Sequence, residues 1–71
     1  MESKVTVKIF GQEYTIAGDK AAEEIEKIAE YVDNKMRLIS RVAGDSGQGS
    51  IAILSAINVA EEYFDALSQI E

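Results

Sequence analysis

Seventy-one residues allow one domain at most, and a chain this short buries only roughly 60% of the surface its unfolded form exposes. It has no Cys and no His, which excludes disulfides, thiolate or imidazole zinc sites and Ser-His or Cys-His catalysis. A second subunit is the remaining way to gain burial. Thirteen acidic against seven basic residues give a net charge of −6, which repels phosphate backbones and argues against a nucleic-acid partner.

The first element in the chain is a hairpin over residues 4–17. Val5, Val7 and Ile9 alternate with Thr6 and Lys8, and Tyr14 and Ile16 resume the alternation after Phe10-Gly11-Gln12-Glu13. Glycine tolerates the positive φ that opens a type II′ turn, so the spacing predicts a two-residue loop at Gly11-Gln12. That register pairs Phe10 with Glu13, Ile9 with Tyr14, Lys8 with Thr15 and Val7 with Ile16. The apolar strand residues then share one face, and Phe10 falls on the other.

A helix is expected over 19–42. Asp19 is the expected N-cap, and Glu23 and Glu24 suit the positive end of the helix dipole. Ile25, Ile28, Ala29, Val32, Met36 and Ile39 recur at helical spacing, and Lys35, Arg37 and Arg41 complement the far end. Residues 43–49 then form a Gly-rich loop. It invites comparison with a phosphate-binding loop, but it follows a helix and lacks the required Lys, so it reads as a helix-helix connection. Neighbouring carboxylates at Glu23-Glu24 and Glu61-Glu62 point about 100° apart on a helix, as solvated faces rather than acid-base pairs. No enzyme, metal or cofactor is expected.

The second helix is expected over 50–71, capped by Ser50. One stripe runs Ile53, Ile57, Ala60, Phe64 and Leu67, alternating steps of four and three as coiled-coil positions do. A second face carries Ala56, Val59, Tyr63 and Ile70. A helix apolar nearly all round must be covered nearly all round, and one hairpin and one helix cannot surround it. The stripe is the expected dimer interface. The sequence ends at Leu-Ser-Gln-Ile-Glu without a Gly or Pro terminator or a cationic last turn, so the helix is expected to run on toward a coiled coil in a longer form.

Basic residues stop at Arg41, leaving Asp45, Glu61, Glu62, Asp65 and Glu71 unopposed beyond it. No run of 18 apolar residues occurs and the N-terminus carries no apolar signal segment, which predicts an intracellular protein without membrane insertion. At 46% apolar residues the chain is too hydrophobic to be disordered.

Three ordered blocks carry a family resemblance. Val5-x-Val7-x-Ile9-x-Gly11-x-x-Tyr14-x-Ile16 resembles the opening hairpin of the ZapA family of bacterial cell-division proteins. Val32-Asp33-x-Lys35-Met36-Arg37-x-Ile39 is similar to the end of its first helix. The run from Ile51 to Tyr63 is similar to its helix-2 signature, with Asn58 inside an otherwise apolar stripe. The resemblance covers residues 4 to about 67. It implies a non-enzymatic cytoplasmic protein at the division site that binds FtsZ and cross-links its protofilaments. It also implies head domains paired as homodimers, with tetramers in forms carrying the full coiled coil. Members usually continue beyond residue 71, so the resemblance implies a head domain or a short member. Some members place a basic residue after the hairpin glycine and charges around the start of helix 2. Gln12, Asp45 and Leu54 are the positions here that match the family's FtsZ-contacting patch, with Gln12 uncharged and Asp45 the one charge in its region.

The expected fold class is therefore α+β: a two-stranded antiparallel hairpin, then two helices, the second extending toward a coiled coil, in a dimer. The alternative is a general homodimerisation module whose C-terminal part carries another activity.

Overall fold

The computed structural model describes residues 3–44 and 47–70. The chain runs β1 (Ser3–Ile9), β2 (Gln12–Gly18), α1 (Ala22–Ala43) and α2 (Gln48–Ile70). This is the expected α+β order: the hairpin is one residue longer at each end than expected, α1 begins three residues later and ends one later, α2 begins two residues earlier, and its expected end at Glu71 lies outside the described residues. The two strands pair antiparallel in a single two-stranded sheet.

The hairpin register differs from the expected one. Val5 faces Ile16, Val7 faces Tyr14 and Ile9 faces Gln12, so the loop is Phe10-Gly11 rather than Gly11-Gln12. Both loop residues have positive φ, 50° at Phe10 and 85° at Gly11. That is the type I′ turn, whose twist matches the flanking strands, not type II′. The side-chain period of a strand is two, so a slip of two residues leaves every side chain on its original face. The expected and observed registers therefore gather the same apolar residues. Phe10 does not join the polar strand face: it sits in the turn, half-buried.

Residues Met1–Arg37 and Leu38–Glu71 form two compact units. In the first, Val7, Ile25 and Ala29 make a buried cluster, with Val5, Ile9 and Ile16 packed against it. The apolar face of the hairpin thus covers the first turns of α1. Full burial of a Val or Ile side chain, as at Val7 and Ile25, contributes about 1.5–3 kcal/mol. Met36 is buried as well, but Ile28, expected on the same inward stripe, is half exposed at 49%.

The helix ends also depart from expectation. Ile25 N–H donates to Ala21 O at 3.1 Å, so the α1 cap position belongs to Ala21, and Asp19 lies two residues outside it. Gly44 takes positive φ (68°) and its N–H donates to Ser40 O at 3.0 Å, the left-handed ending that glycine adopts without a Cβ penalty. Ile51 N–H donates to Gly47 O at 3.0 Å, which makes Gly47 the α2 cap and places Ser50 inside the first turn. In the second unit, α2 buries Ile51 and Ser55 on one side.

Candidate functional site: an uncovered apolar helix face and a pinned hairpin tip

α2 has a covered side and an open side. At 3.6 residues per turn, Ile53, Ile57, Ala60, Phe64 and Leu67 lie roughly 160–240° around the helix from Ile51. Ile51 is 5% exposed, whereas Ile53 and Phe64 are each 64% exposed and Ile57 54%. Leu67 and Ala60 are exposed too. Tyr63 packs edge-on against Phe64 with ring centroids 5.2 Å apart, and both rings remain largely open. All five residues expected at a dimer interface therefore share one uncovered face. Isolated apolar side chains on a surface are ordinary, but a contiguous row of large ones marks an interaction site.

The residues expected at the partner patch are distributed differently. Gln12 is exposed beside the hairpin turn, where the Tyr14 hydroxyl donates to its Oε1 at 2.9 Å. Leu54 is 42% exposed on α2. These two belong to different compact units. Asp45 lies outside the described residues.

Asp33 on α1 reaches the hairpin tip. Phe10 N–H donates to Asp33 Oδ1 at 2.7 Å, and Arg37 Nε donates to Asp33 Oδ2 at 2.9 Å. The Arg37 hydrogen bond, followed by that from the Phe10 backbone, holds the Asp33 carboxyl below its ordinary range. The spacing of Asp33 and Arg37, one helical turn apart, was a readable signal of the ion pair. The reach of Asp33 to a turn 23 positions away was not.

An apolar cleft of about 230 Å³ lies between the end of β2 and the start of α1, lined by Ile16, Ile25 and Ile28 among others. Its one basic side chain, Lys20, is ion-paired with Glu24 at 3.6 Å. Among the described residues no group of His, Cys, Asp or Glu converges as metal ligands would. No helix among them is long and apolar enough to cross a membrane.

A family model described as Cell division protein ZapA matches residues 5–71, from within β1 through α2. The chain belongs to the ZapA family. A cell division protein ZapA from Geobacillus sp. (strain WCH70) is 40% identical over 62 residues, spanning 87% of this chain and 71% of that protein. The ZapA of Bacillus licheniformis is 34% identical over 70 residues, 99% of this chain and 82% of the relative. Among solved structures, a ZapA mutant dimer from Geobacillus stearothermophilus superposes with a TM-score of 0.80 at 31% identity, covering 99% of this chain and 81% of that one. Membership of ZapA assigns the chain to cell division.

Proposed function

We propose that this chain is a non-enzymatic division-ring protein of the cytoplasm that dimerises through α2 and cross-links FtsZ protofilaments. The observation that carries the reading is the uncovered row Ile53, Ile57, Phe64 and Leu67 on a chain whose ZapA match runs from residue 5 to residue 71. That the solved Geobacillus stearothermophilus ZapA mutant is a dimer supports a second copy as the cover for that row. A two-fold dimer presents every surface twice, so one particle bridges two filaments even when each contact is weak. Gln12 and Leu54 are the proposed filament-facing positions, together with Asp45.

The test is sedimentation of GTP-polymerised FtsZ with and without this chain. Pelleting of the chain with filaments, and of filaments at low speed, is the expected result. A chain that dimerises but never enters the FtsZ pellet would instead favour a general dimerisation module.

A further inference from the structure

The hairpin tip is held by more than its own turn. Phe10 adopts φ 50°, a left-handed conformation that bulky residues seldom occupy and that persists only where the surroundings enforce it. In a two-residue hairpin loop the N–H of the first loop residue points away from the strand ladder. Here Asp33 on α1 captures that donor at 2.7 Å. Arg37 fixes the other carboxylate oxygen at 2.9 Å. The Gln12 side chain is in turn fixed by the Tyr14 hydroxyl at 2.9 Å. Packing of Val5, Val7, Ile9 and Ile16 against Ile25 and Ala29 already joins the hairpin to α1, so the Asp33 contact is not needed for that.

We propose that Asp33 is a positioning residue, which holds Phe10 in its left-handed conformation so that Phe10, Gly11 and Gln12 meet the filament in a preformed shape. The inference rests on the FtsZ reading above. A surface that is fixed before contact loses less conformational freedom on binding. Where only a fraction of molecules holds the competent shape, apparent affinity falls by that fraction.

The test is a double-mutant cycle of Asp33→Ala with Phe10→Asn, since Asn-Gly forms the type I′ turn unaided. Binding is read by co-pelleting with GTP-polymerised FtsZ. The φ of residue 10 is read in the free protein from backbone NMR couplings. Asp33→Ala is expected to weaken binding roughly tenfold and to move residue 10 out of positive φ. Both effects should largely vanish in the Phe10→Asn background. Asp33→Asn keeps an acceptor oxygen, so it is expected to retain positive φ and intermediate binding. If Asp33→Ala does not fold, the intermediate binding loss of Asp33→Asn is compared with that of its Phe10→Asn double variant, where it should likewise largely vanish, and an equal loss there would overturn the proposal. Equal losses in both backgrounds would reduce Asp33 to a tie between hairpin and helix and overturn the proposal. Positive φ retained at Phe10 in Asp33→Ala would overturn it without reference to FtsZ. Failure of the unaltered chain to pellet would overturn the functional reading itself and this proposal with it.

Discussion

Replacing Ile57 by Ala separates association from folding. Ile57 is 54% exposed in the single chain, so about half of its transfer free energy is still to be gained from a partner. Full burial of such a side chain is worth about 1.5–3 kcal/mol, which leaves about 1–1.5 kcal/mol per protomer. Two-fold symmetry removes the side chain twice, for a loss of about 2–3 kcal/mol, or ~30- to 150-fold in the dimer dissociation constant. The fold of each chain should hardly notice, because the site is open and Ala is the strongest helix former. Ile51→Ala is the contrast: at 5% exposure it should lower folding stability by about 2–5 kcal/mol. Sedimentation velocity over a concentration series measures the first effect. Melting at several concentrations checks it, since the dimer's melting temperature rises with concentration. A dissociation constant unmoved by Ile57→Ala, or a concentration-independent folded monomer, would refute the argument.

Asp33 should make stability pH-dependent. Its native pKa lies below the ordinary 3.8, so its contribution is fully present above pH about 4 and is lost as pH falls through the lowered native value. Acid titration followed by circular dichroism should show Asp33→Asn losing less stability than the parent over that window. Gly11→Ala should destabilise by about 1–2 kcal/mol in urea melts, because φ at Gly11 is 85° and an L side chain resists the left-handed region. The Ser55 hydroxyl is buried with no partner among the described residues; Ser55→Ala should therefore stabilise the chain by about 1 kcal/mol in the same assay.

Much of this was legible from residue order. Strict alternation in Val5, Val7 and Ile9 defined the hairpin face, apolar residues at helical spacing defined α1, and the strongly apolar run from Ile51 defined α2. The excess of apolar positions on α2 already required a cover that one hairpin and one helix could not supply. The turn was misread because alternation has a period of two and cannot sense a two-residue slip. The Phe10 N–H in the turn is met by a carboxylate from α1, and no local pattern around residues 9–13 contains Asp33. The caps failed for a related reason. Asp19 and Ser50 have the right chemistry, but Ala21 and Gly47 hold the positions where the first helical hydrogen bonds begin. Ile28 shows the limit of periodicity: it lies at the margin of the inward stripe, and the short hairpin leaves half of it uncovered.

One experiment reads both the uncovered helix face and filament cross-linking. GTP-polymerised FtsZ is mixed with the unaltered chain or with Ile57→Glu, which buries a like charge twice at the proposed two-fold interface. High-speed pelleting then reads filament binding, and low-speed pelleting reads bundles. The unaltered chain is expected to pellet at both speeds, while Ile57→Glu still binds filaments at high speed and forms no bundles. Undiminished bundling by a demonstrably monomeric Ile57→Glu would contradict this expectation.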